Sequence, residues 1–194
     1  DSQTFHMISK SISLKDFGSM KVRIIDTPGF ADNRAGMEVG NLLSNILQFI
    51  SSLKNGFNIG IFCLPAKTRV DSHDIDELEL LSILLGKDVF KHTFIAITQL
   101  NTLQKDERMN AYVKYPIELP KILYEHNIPD FGPDRILLAD FNNFKEKFMP
   151  PLVKILKEST SYVPQIAQEI NPDDPETINN YLASPQIKAM MKKY

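Results

Sequence analysis

A chain of 194 residues with 43% hydrophobic and 24% charged residues has globular composition and enough length for one α/β domain with a sizeable core. Its net charge of −2 argues against a polyanion-binding surface over the whole chain, so nucleic acid is not an expected partner. A single cysteine, Cys63, excludes an intrachain disulfide framework and suits a reducing, cytoplasmic compartment.

Lys54 and Asn55 split the longest apolar candidate, so no stretch reaches membrane-spanning length. The first residues lack a signal peptide's apolar segment. They also lack an initiator Met, and the expectation is a piece of a longer protein.

Residues 2 to 14 alternate in a strand pattern, and Lys15 to Met20, with Asp16 and Gly18, reads as a hairpin turn. The next strand, through Val22, Ile24 and Ile25, is expected to pair antiparallel with the first and to be buried on a sheet. From Gly36 or Met37 to Leu53 a helical period runs through Val39, Leu42, Leu43, Ile46, Leu47 and Ile50, closed by Asn55-Gly56. Asn58 to Leu64 is an unbroken apolar run, expected to be a parallel strand covered on both faces, with Cys63 a buried small hydrophobe.

Asp71 or Ser72 can cap the following helix, whose inner face is Ile75, Leu78, Leu81 or Ser82, and Leu85, with Gly86 at its end. Asp74, Asp76 and Glu77 suit the positive end of that helix, which explains them beside His73 without a metal. Phe94 to Thr98 is a further strand. Leu103 to about Asn127 reads as helical, with breaks before Pro116 and near Pro120. Arg135 to Phe141 is a last strand, and Phe148 to Leu156 begins the last core helix. Beyond Tyr162 the pattern weakens. NPDDPE at 171 to 176 is a linker or a cap start, and 184 to 194 a short surface helix. Strand alternating with helix predicts an α/β fold, a mostly parallel sheet with helices on both faces.

The stretch KVRIIDTPGF at 21 to 30 places a carboxylate, Asp26, at the end of a strand, followed by a turn with Gly29. Its bland reading is an ordinary strand-to-turn junction. In P-loop GTPases an Asp at this place holds Mg²⁺ through water, and the glycine amide bonds the γ-phosphate. Two further polar clusters, Thr98 to Asn101 and Asn142-Asn143, also fall at carboxyl ends of strands, where open α/β sheets bind ligands.

Four blocks then carry a family resemblance: IIDTPGF (24 to 30), IGIFCLPAKTRVDSHDIDELELLSILLG (59 to 86), FIAITQLNTL (94 to 103) and RILLADFNN (135 to 143). Together they resemble the immunity-associated GTPase family, the avirulence-induced or IAN/GIMAP type, over roughly residues 2 to 158. The resemblance implies a GTPase-like domain over residues 1–160 and a C-terminal helical extension over 161–194. It implies GTP or GDP and Mg²⁺ as ligands. Asp26 would be the Mg²⁺-linked carboxylate, Gly29 the γ-phosphate amide and Thr4 the switch threonine that ligates Mg²⁺. Thr4 also reads simply as a strand threonine. Thr98, Gln99 and Asn101 would form the base-recognition segment, and Asn142 and Asn143 the guanine-side motif. Arg69 falls on the arginine of the family's distinctive box, and reads equally as a solvated loop residue. Homodimers or oligomers and peripheral membrane association are further implied partners.

Three departures qualify the match. Gln99 and Asn101 stand where the family often has a basic and an acidic residue, so guanine's N1 and N2 donors meet an uncharged acceptor. Phe30 occupies the position where Ras-type enzymes carry the water-orienting glutamine. No G-x-x-x-x-G-K-[ST] occurs, and the expectation is a truncation before the switch threonine that removed the first strand, phosphate loop and first helix. Such a fragment is expected to bind GTP poorly alone. Three functions stay open: a slow GTPase switch, a nucleotide-dependent oligomerising scaffold, and a degenerate domain that binds no nucleotide.

Overall fold

The computed structural model describes residues 8–27, 39–53, 55–66, 72–128, 131–140, 144–171 and 173–192. The chain divides into two compact units, Asp1–Lys54 with Gln165–Tyr194, and Asn55–Pro164.

In the first unit, β1 (Ile8–Leu14) and β2 (Met20–Asp26) form the expected antiparallel hairpin, with Ile12 opposite Val22 and Ile8 opposite Asp26. Gly18, at φ 79°, takes the left-handed conformation that reverses the chain, in open space. The expected burial of β2 does not hold: Ile24 is 49% exposed and Ile25 half-buried. The β-branched residues satisfy strand geometry, but among the described residues the ribbon pairs with no third strand.

Helix α1 (Val39–Ser52) follows its period, burying Leu43, Ile46, Leu47 and Ile50, and packs against α5 (Gln165–Glu169) and α6 (Pro175–Leu182). The NPDDPE stretch proves to be a cap. Asp174 accepts from the Glu176 N–H at 3.0 Å and the Thr177 hydroxyl at 2.5 Å, ahead of Pro175 at the first helical position. These contacts hold the Asp174 carboxyl below its ordinary range. Helix α7 (Pro185–Met191) is a short surface helix, exposed at Pro185, Gln186, Lys188 and Ala189 and anchored by the buried Ile187.

The second unit holds a three-stranded parallel sheet, in the order β3 (Gly60–Pro65), β4 (Thr93–Thr98), β5 (Ile136–Leu138), flanked by α2 (Ser72–Leu85), α3 (Lys105–Glu125) and α4 (Met149–Glu158). The fold is the expected α/β class. Strand β4 is buried from Thr93 to Ile97. Phe94 and Ala96 join Leu137, Ala139 and Phe148 in one cluster, against which Met149, Leu152 and Ile155 pack. Ile95 and Ile97 point to the opposite face and are fully buried.

Three expectations need correction here. Strand β3 is covered on one face only: Phe62 and Leu64 are buried, while Ile61 is 42% exposed and Cys63 is exposed. It ends the strand order, and cover does not extend over its second face. Helix α3 is unbroken through Pro116 and Pro120. Each proline forgoes one backbone hydrogen bond, and burial of Ala111, Tyr115, Leu119 and Leu123 along one face offsets the loss. Gly56 does not stop α1, which already ends at Ser52.

Gly56 serves a different contact. Phe57 and Tyr162 exchange backbone hydrogen bonds at 2.9 and 2.7 Å, bringing the end of the unit against its beginning. The Tyr162 ring stacks on His92 at 4.9 Å, and its hydroxyl donates to the Leu85 carbonyl. Gly56, at φ 69°, lies so close that a Cβ would collide with the Tyr162 carbonyl. Gly56→Ala should therefore cost more than about 3 kcal/mol, from overpacking and a strained φ together. Gly18→Ala meets only the conformational penalty of about 1–2 kcal/mol. Urea unfolding of the two variants measures the difference, and equal losses would count against this close approach.

Candidate functional site

Parallel pairing aligns the carboxyl ends of the sheet: Pro65 stands beside Thr98, and Ile97 beside Leu138. The ladder continues past the strands, with Ala66 N–H donating to Thr98 O at 2.8 Å and Ala139 N–H to Ile97 O at 2.9 Å. Two described stretches lead off this one edge, the turn after β4 and the residues Ala139 and Asp140 after β5.

The first is Thr98 to Asn101. The Thr98 hydroxyl donates to the Leu64 carbonyl at 3.2 Å, so it is engaged within the sheet. Gln99 adopts the left-handed conformation at φ 58° and is exposed. Leu100 is fully buried and anchors a 3-10 turn over Leu100–Thr102, closed by Thr102, whose N–H and hydroxyl both donate to Gln99 O. Asn101 is left exposed on a turn pinned from beneath. Helix α3 starts just beyond, where the Glu107 carboxylate accepts from the Gln104 N–H at 3.1 Å. Arg108, in its first turn, donates through Nη2 to the carbonyls of Asn101 at 3.3 Å and Leu103 at 3.1 Å. Its Nε is buried without a hydrogen-bond partner.

The second stretch follows β5, and the expected cluster Asn142-Asn143 lies beyond it, outside the described residues. Asp140 is 2% exposed, and its Oδ2 accepts from the Tyr112 hydroxyl at 2.8 Å. Lys147 Nζ lies 4.6 Å above the Tyr112 ring. Partial burial, and then the hydrogen bond to Asp140, push the Tyr112 phenol up to about 12. The last strand is shorter than its apolar sequence suggests, ending at Leu138.

Thr98, Gln99 and Asn101 thus come together on one turn. Asp26 closes β2 in the first unit, exposed, opposite Ile8. Thr4, Gly29, Phe30, Arg69, Asn142 and Asn143 lie outside the described residues. Among the described residues no three His, Cys, Asp or Glu side chains group to hold a metal ion, and no helix is long and apolar enough to cross a membrane. An exposed carboxylate such as Asp26 suits Mg²⁺, which takes one or two protein carboxylates and completes its shell with water and phosphate oxygens.

Little in the sequence marks Arg108, Tyr112, Asp140 and Lys147. The one signal was the four-residue spacing of Arg108 and Tyr112, which places both on one helix face.

A sequence model of the AIG1 family, the avirulence-induced type of immunity-associated GTPase, matches residues 3–146 of the 194. No curated protein matches the chain.

Tyr112 supplies a pH test. Its folded pKa lies above the ordinary tyrosine value near 10, so the folded state holds the proton more tightly than the unfolded one. The stabilisation is whole below about pH 10 and lost as pH rises through about 12. Ultraviolet titration of the phenolates, by difference, should show Tyr112→Phe removing one late-titrating phenol. Tyr162 and Tyr181, both raised chiefly by burial, should remain late. A variant that removes only a phenol titrating near 10 would show that Tyr112 is not held this way.

Proposed function

The chain belongs to the AIG1 family, whose membership supports a GTP-binding G-domain protein, and from this premise we propose a Mg²⁺-dependent guanine-nucleotide-binding function with slow hydrolysis. The observation that carries the reading is the edge shared by β4 and β5. A hydrogen-bonded turn there exposes Asn101, and in the sequence Asn142-Asn143 follows shortly after Asp140.

In this reading residues 1–160 form the G domain and 161–194 a C-terminal extension. Gln99 and Asn101, with Asn142 and Asn143, meet the base. The Asn101 amide oxygen can accept from guanine N1–H or N2–H, and it does so without charge. Asp26 holds Mg²⁺ through water, Thr4 ligates it directly, and Gly29 donates its amide to the γ-phosphate. The ion would neutralise charge between the β- and γ-phosphates. Phe30 offers no hydrogen bond to an attacking water, which accounts for slow turnover and for activation by a second copy. Oligomerisation and peripheral membrane association belong to the same proposal.

Fluorescent GTP, titrated into the protein expressed from its complete reading frame, tests the function. Saturable binding that requires Mg²⁺ and is abolished by Asp26→Ala is expected. Equal competition by adenine and guanine nucleotides, or no saturable binding, would sink the reading. Asn101→Asp restores a charged acceptor. Charge-assisted hydrogen bonds exceed neutral ones by about 1–1.5 kcal/mol, so guanine affinity should rise about tenfold with adenine affinity unchanged. An unchanged guanine affinity would remove Asn101 from the base site.

A further inference from the structure

We infer that the exposed face of α3 is a self-association surface, on which a second copy of this chain lays its own α3 antiparallel about a two-fold axis. The inference stands on α3 alone; it gives the oligomerisation proposed above a surface and needs no nucleotide. Among the described residues, seven large hydrophobic side chains are exposed. Four of them, Met109, Val113, Ile117 and Tyr124, lie on this helix, each between 52% and 75% exposed. The helical repeat gathers these four into one arc of about 80°, away from the buried face of Ala111, Tyr115, Leu119 and Leu123. Pro120, half-buried, falls within the same arc. A helix already buried along one face has no use within its own unit for a second apolar stripe, and a continuous exposed stripe marks an interaction site.

Charge decides which partner fits. Lys114, Glu118, Lys121 and Glu125 form an exposed row beside the stripe, with Lys114 Nζ 3.5 Å from Glu118 Oε2. The signs alternate, so the row read backwards is its own complement. An antiparallel two-fold contact brings such a row against itself. With the axis between residues 119 and 120, Lys114 meets Glu125 of the partner subunit, and Glu118 meets Lys121 of the partner subunit. The same register sets Tyr124 level with the gap between Val113 and Ile117 of the partner subunit. A lipid surface fits less well, because the row carries no net positive charge. The paired helices overlap over about 18 Å and are about 10 Å wide, well short of the ~800 Å² per partner of a stable interface. The contact is therefore weak, with a dissociation constant of about 0.1 mM, and forms where copies are concentrated.

Sedimentation velocity of the nucleotide-free protein, expressed from its complete reading frame, tests the surface between about 10 µM and about 1 mM. Wild type should pass from monomer to dimer over that range. Ile117→Lys and, as a second apolar position, Val113→Lys should each weaken association about tenfold or more. Both positions are exposed, so the urea midpoint should stay that of wild type. Two charge variants test the register of the row. Lys114→Glu with Lys121→Glu makes it wholly acidic, and Glu118→Lys with Glu125→Lys makes it wholly basic. Each should weaken self-association about tenfold, and an equimolar mixture of the two should restore it to within about threefold of wild type. A wild type that stays monomeric throughout would overturn the inference. So would Ile117→Lys and Val113→Lys proteins that associate as wild type does, or a mixture that restores nothing. Association that appears only with GTP and is indifferent to Ile117→Lys would preserve the oligomerisation proposed above and defeat this surface. A monomeric wild type that floats with vesicles of acidic lipid, and loses flotation in Ile117→Lys, would give the stripe to a membrane instead.

Discussion

Strand β4 must be hydrogen-bonded in parallel on both sides, and the second unit is built outward from that constraint. Pairing with β3 and β5 sends three carboxyl ends to one edge, so stretches far apart in the sequence end side by side. Burial on both faces enforces it. Ile95 and Ile97 are fully buried, and removing each from water contributes about 1.5–3 kcal/mol. Arginines then tie the loops at the two ends. At the amino edge, Arg135 donates to the carbonyls of Phe90, Lys91 and Thr93 and lies 5.0 Å from the Phe94 ring centroid. At the carboxyl edge, Arg108 holds the turn after β4.

Periodicity made the alternation of strand and helix legible. The α1 stripe of Leu43, Ile46, Leu47 and Ile50 is buried as its spacing predicts, and FIAIT is the central strand. Burial was less legible, because an apolar strand reads the same at the centre of a sheet and at its margin. Ile24, Ile61 and Cys63 are exposed for that reason. The prolines of α3 misled in another way. Their local cost is real, but local rules do not register the buried face that outweighs it. The candidate site divides along the same line. Asn101 stood out in the sequence because its polar cluster follows an apolar strand, whereas Arg108 and Tyr112 act on carbonyls and on Asp140, partners that only folding brings near.

The motif itself gains definition from the fold. Of Thr98, Gln99, Leu100 and Asn101, the first spends its hydroxyl on Leu64 and the third is buried. Gln99 and Asn101 remain exposed on the edge. A neutral hydrogen bond contributes about 0.5–1.5 kcal/mol and one to a charged group about 1.5–3 kcal/mol. In the proposed reading, discrimination by two amides is therefore shallower than discrimination by a carboxylate. Hydrogen bonds within the turn offer compensation in that reading, since a preorganised acceptor loses less entropy on binding.

The elements that carry the proposed base and Mg²⁺ residues differ in how much cover they have, each within its own unit. The turn after β4 rests on a buried strand and on a side-chain tie to α3. Asp26 instead ends a two-stranded ribbon whose Ile8 and Ile24 are half exposed to solvent. A hairpin with so little cover is marginally stable on its own, and contacts to a bound phosphate and metal ion would add directly to its order. In the proposed reading, binding the base then asks for little rearrangement, while holding the γ-phosphate orders the hairpin. That asymmetry is what a nucleotide switch requires, because the part that senses hydrolysis must be less stable than the part that keeps the nucleotide bound.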